Sequence, residues 1–118
     1  MISMREAYEK IGANYDDACV RLMGEEMLAR FALKFLDDES MDKLEAAMAA
    51  GDAKEAFMAA HTLKGVSQNL GFDNLYEPAV VVTEALRGAD AVDGAREGMH
   101  ALQQQYAATM SALREAAE

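Results

Sequence analysis

Apolar residues recur at every third or fourth position along almost the whole of this 118-residue chain. That rhythm marks helices with one buried face. No stretch alternates apolar and polar residues as a strand would, and the chain holds one proline. Alanine and methionine, both good helix formers, are prominent in a hydrophobic fraction of 52%. A chain this long buries roughly two-thirds of its unfolded surface, enough for one core. We therefore expect a single domain over residues 1–118.

Local stop and start signals divide the rhythm into segments. A short first helix is expected from Ser3 to Ile11, ended by Gly12 and Asn14. Tyr15 to Gly24 reads as a turn of helix plus a connector, with Leu22 and Met23 facing inward. A second helix starts near Glu25, with Leu28, Phe31, Ala32 and Phe35 on its buried face. Leu36, Met41, Leu44 and Met48 continue that face, and Asp37-Asp38-Glu39-Ser40 either bends the helix or lets Ser40 cap a new one. Gly51-Asp52 is a stop followed by an N-cap. A third helix should span about residues 53–70 and end at Gly71. A fourth follows Asp73 or Asn74 and ends near Gly88, with an irregular or kinked start at Pro78. The last begins near Asp93, with Ala95, Met99, Leu102, Tyr106, Met110 and Leu113 inward. Short loops between such helices make neighbours antiparallel. The expected architecture is all-α, an antiparallel four-helix bundle with a short extra N-terminal helix.

The third helix carries the unusual chemistry. At about 100° per residue, Ala56, Ala59, Leu63, Val66 and Leu70 fall on the side opposite His61. His61 therefore points away from the core. Lys54, Phe57, Lys64, Gly65 and Gln68 lie within about 60° of it, with Met58 at the edge. Two cations and two large apolar groups make an odd solvent face in a protein of net charge −10. A mid-helix glycine there costs roughly 1 kcal/mol against alanine, which points to close approach by another molecule. Neutral imidazole is a nucleophile and can accept a phosphoryl group on a ring nitrogen. Lys64 can offset the added charge, Gly65 clears a path, and Gln68 can hydrogen-bond the ring or the phosphoryl oxygens. Phe57 suits either an apolar docking rim with Met58 or packing against a neighbouring helix.

His61-Thr62-Leu63-Lys64-Gly65 followed by Leu70-Gly71 resembles the signature of histidine phosphotransfer domains of multistep phosphorelays. Ala49-Ala50-Gly51-Asp52, Ala59-Ala60 and Leu22-Met23-Gly24-Glu25-Glu26 leading into Phe31 also look like that family. The resemblance covers roughly residues 15–87. It implies a four-helix bundle whose exposed histidine takes a phosphoryl group from a receiver-domain aspartate and passes it to another. It makes His61 the phosphoacceptor, Lys64 and Gly65 its supporting pair, and Gln68 a phosphate-side ligand. The partners implied are receiver domains of hybrid histidine kinases and of response regulators. The transfer Mg2+ would be the receiver's, with no cofactor or metal held by this chain. Many members place a Gln or Glu on the next helix to hydrogen-bond the imidazole. Here that spacing lands on Thr83, whose reach is shorter, with Glu84 beside it.

Other classes fit less well. The acidic surface argues against nucleic acid and anionic membrane faces as partners. No segment approaches the roughly 20 apolar residues of a membrane span. Residues 1–6 lack a signal peptide's apolar core, and Cys19, the one cysteine, permits no internal disulfide. Cytoplasmic localisation is the expectation, with Cys19 a small buried hydrophobe. His100 reads as a surface residue, and Asp37-Asp38-Glu39 as a solvated turn without the calcium-loop glycine. No glycine-rich phosphate loop occurs, so autonomous kinase activity is not expected. A continuous stripe on the last helix favours a monomeric bundle over a kinase dimerisation hairpin. The competing reading is a helical adaptor that docks receivers or kinases without accepting phosphate.

Overall fold

The structure is a computed structural model that describes residues 1–117. Its elements are α1 (Met4–Ile11), α2 (Tyr15–Arg21), α3 (Glu25–Lys34), α4 (Ser40–Ala50), α5 (Ala53–Asn69), α6 (Asp73–Leu86) and α7 (Arg96–Ala117). Single 3-10 turns at Phe35–Asp37 and Asp93–Ala95 precede α4 and α7. The fold is an all-α bundle: α4 packs on α5, α5 on α6 and α6 on α7. Ahead of these four lie α1, α2 and α3, where one short helix, a connector and the first part of a bent or broken second helix were expected. Asn14 caps α2 by accepting from the Asp17 N–H, so the connector closes into a helix of its own.

Local capping explains several boundaries. Ser3 and Glu6 form a reciprocal capping box at the start of α1. Gly51 takes a left-handed conformation at φ 72° to end α4. Asp52 then accepts the Glu55 N–H at 3.1 Å to start α5. Ser40 is not a cap: its own N–H donates to the Asp38 carboxylate at 3.0 Å. Nor does Pro78 disturb α6, which runs unbroken with proline as its sixth residue. Packing on both flanks overrides the local penalty, and Asn74 ties the preceding turn to α7 by donating to Gln105 and Thr109.

The core joins the N-terminal helices to the far end of α5. Tyr8, Phe35 and Phe72 are buried with ring centroids 5.2 and 5.4 Å apart, and Tyr15 stacks edge-on to Tyr8. Tyr8 Oη donates to the Leu70 carbonyl at 2.7 Å, and the Asn14 N–H donates to the Gly71 carbonyl at 2.8 Å. These two bonds anchor the C-terminal end of α5. On the other side, α1 packs along α7, where Lys10 Nζ meets the Glu115 carboxylate at 2.9 Å and the Ile2 N–H reaches the Glu115 carbonyl. Two expected core residues are displaced. Met23 is 89% exposed, because its backbone turns left-handed at φ 65° ahead of Gly24. Phe31 lies at the rim of a shallow hollow between α3 and α5, with Lys34 Nζ over its ring. Cys19 is partly buried against the core.

Candidate functional site on helix α5

Helix α5 presents two faces of opposite character. Ala53, Ala56, Ala59, Ala60, Leu63 and Ser67 are buried. Val66 is only half-buried and borders the α3–α5 hollow, while Leu70 is buried. Ser67 satisfies its buried hydroxyl by donating to the Leu63 carbonyl at 2.8 Å. On the opposite face His61, Gly65 and Gln68 are exposed and Lys64 is half-buried. The four candidate residues thus share one accessible strip. Lys54 is exposed on it, and Met58 is 57% exposed at its edge.

Gly65 has no neighbour within reach. A Cβ built there would meet nothing within 4 Å. No packing within the bundle demands glycine at this position. Gly71 is the contrast: at φ 71° its Cβ would lie 2.6 Å from the Asn14 carbonyl oxygen.

The side chains around His61 form a column that runs onto α6. The His61 ring stacks on Phe57, one turn earlier, with centroids 5.9 Å apart and planes 19° from parallel. The Arg87 guanidinium sits over the Phe57 ring at 5.1 Å. Arg87 is held by two hydrogen bonds donated to the Glu84 carboxylate, at 3.0 and 3.1 Å. Arg87 holds the Glu84 carboxyl below the usual carboxylate range, and Lys64 contributes a smaller pull across from α5. Phe57 is also half-buried against the core, so it packs inward while one face of its ring meets the imidazole. At the other end of the strip, Arg21 donates to the Gln68 backbone carbonyl and pairs with Asp17 at 2.9 Å.

Thr83 does not face this column. It is fully buried, and its hydroxyl donates to the Ala79 carbonyl at 2.7 Å. No hydrogen bond reaches either His61 ring nitrogen among the described residues. Arg87 and Arg21 were not singled out from sequence. Arg87 follows the last residue of α6 with extended backbone, so helix spacing from Thr83 does not place it. His100 is exposed beside Glu45 and Gln103, away from α5. No cluster of three or more His, Cys, Asp or Glu able to hold a metal occurs among the described residues. No helix there is long and apolar enough to cross a membrane.

An accessible imidazole thus stands on a bundle helix, with a lysine and an open glycine position one turn on. In comparison with known families, the model of the Hpt domain matches residues 26–116. The chain belongs to the Hpt family, the histidine phosphotransfer domains of two-component systems, which carry phosphoryl groups and work with receiver domains or kinases. Searches of curated proteins and of solved structures each returned no significant match.

Proposed function

We propose that this chain accepts a phosphoryl group on His61 from a receiver-domain aspartate and returns it to the aspartate of another receiver. The observation that carries this reading is His61 itself, exposed on the face opposite the core stripe and one turn from a glycine with open space around it. In the forward step a ring nitrogen attacks phosphorus. The N–P bond forms as the acyl-phosphate P–O bond breaks, and the electron pair of that bond stays on the aspartate carboxylate. The ring keeps its other N–H and becomes cationic; reversal of these changes delivers the phosphoryl group onward.

Lys64 lies one turn from His61 and balances the incoming negative charge. Gln68, a turn further, offers an amide to the phosphoryl oxygens. Gly65 leaves room for the partner's active site, which supplies Mg2+ and the acidic pocket. On this reading the chain is a carrier and not a kinase, and it acts as a single bundle.

The test is transfer from a phosphorylated receiver to wild type and to His61→Gln. Wild type should acquire acid-labile, alkali-stable phosphate and the variant none. Labelling of the variant at the wild-type rate rules out His61. Receiver binding by both proteins with labelling of neither favours the adaptor.

A further inference from the structure

We infer that Phe57 is a positioning residue for His61: its ring, fixed by Arg87, sets the plane in which the imidazole meets an incoming phosphoryl group. The inference rests on His61 being the phosphoacceptor. Three observations carry it. The two rings are stacked at 5.9 Å and 19°. The platform is itself braced, since the Arg87 guanidinium lies over the Phe57 ring and two bonds to Glu84 hold that guanidinium. Thr83, at the α6 position to which the family's spacing assigned a hydrogen bond to the ring, is buried and spends its hydroxyl on the Ala79 carbonyl.

A stack orients differently from a hydrogen bond. It restrains the side chain's last torsion, which is otherwise broad for an aromatic ring. It leaves the ring edge free, so neither nitrogen is occupied by a protein partner. It also acts on charge. As the N–P bond forms, the imidazole becomes cationic, and the negative face of the Phe57 ring favours that form. The stack therefore strengthens toward the transition state, which is the condition for accelerating the step. Arg87, just past the end of α6, and Lys64 on α5 add two cations to this column, and Glu84 keeps Arg87 in place.

The experiment is single-turnover transfer from a receiver domain charged with a small acyl phosphate and Mg2+, the receiver being one that exchanges phosphate with wild type. Rates are measured against receiver concentration for wild type, Phe57→Leu, Phe57→Tyr, Arg87→Met and His61→Gln. Proton NMR of the His61 ring is recorded on each protein alone. Phe57→Leu should lower the saturated rate about tenfold and leave half-saturation unchanged. Its His61 ring protons should lose the shift that a stacked aromatic imposes. Phe57→Tyr should keep both rate and shift. Arg87→Met changes an exposed side chain, so it carries the test if Phe57→Leu does not fold; it should give a smaller loss in the same direction. A saturated rate equal to wild type in the folded variants overturns the inference, as does a change in half-saturation alone, which would make Phe57 a docking contact. If His61→Gln is inert while Phe57→Leu transfers normally, only the positioning role falls. If His61→Gln transfers normally, the phosphoacceptor assignment falls with it.

Discussion

At Gly65, stability and access pull in opposite directions. Its missing side chain leaves open space on the surface of a continuous helix, and no internal contact requires the gap. Gly65→Ala should therefore stabilise the bundle by up to about 1 kcal/mol, as helix propensity dictates. Urea unfolding checks this. Gly65→Gln should also fold, since its Cβ meets nothing. Its longer side chain would stand beside the imidazole, and phosphotransfer should slow while circular dichroism stays native. Transfer at the wild-type rate in a folded Gly65→Gln protein would remove the access argument. His61 needs the opposite treatment, because the side chain is the chemistry.

Helix α5 owes its precision to what clamps its ends. At the start, Asp52 caps the Glu55 N–H; at the finish, Tyr8 and Asn14 hold the Leu70 and Gly71 carbonyls. Gly71 permits the second clamp. Gly71→Ala forces a left-handed alanine and drives its Cβ into the Asn14 backbone. We expect a loss of about 2 kcal/mol or more, read by denaturant unfolding. The caps and the core stripe of α5 were legible in the sequence because they depend on residues within one or two turns. The His61 strip was legible for the same reason. Three features were not. Pro78 reads locally as a breaker, but contacts from α5 and α7 keep α6 whole. Val66 fits the buried stripe by angle, yet α3 stands away from it and leaves a hollow. The Phe57–Arg87 contact joins residues 30 apart in the chain, a pairing that no helical wheel contains.

For the molecule as a whole, the buried tyrosines set a limit at alkaline pH. Burial pushes the Tyr8 phenol well above its ordinary value, and burial together with the Glu25 hydrogen bond raises Tyr15 to about 12. The unfolded chain ionises these groups first, near pH 10. Their contribution is complete below that value and is lost as pH climbs through the folded-state values. Unfolding free energy measured from about pH 8 to about pH 11 should fall at the upper end. Tyr8→Phe should flatten that fall while lowering stability at neutral pH by about 1 kcal/mol through the lost Leu70 bond. The exposed Glu84–Arg87 pair acts at the acid end, where protonating Glu84 releases Arg87 from its two bonds.

The meeting of Ile2 with Glu115 has a geometric corollary. With residues 2 and 115 side by side, the bundle between them behaves as a cassette: that stretch can be spliced into a surface loop of a host with short linkers, neither part being stretched to accommodate the other. Because α5 packs mainly on α4 and α6, and the junction belongs to the α1–α7 pair, such a graft would leave the histidine-bearing face turned to solvent.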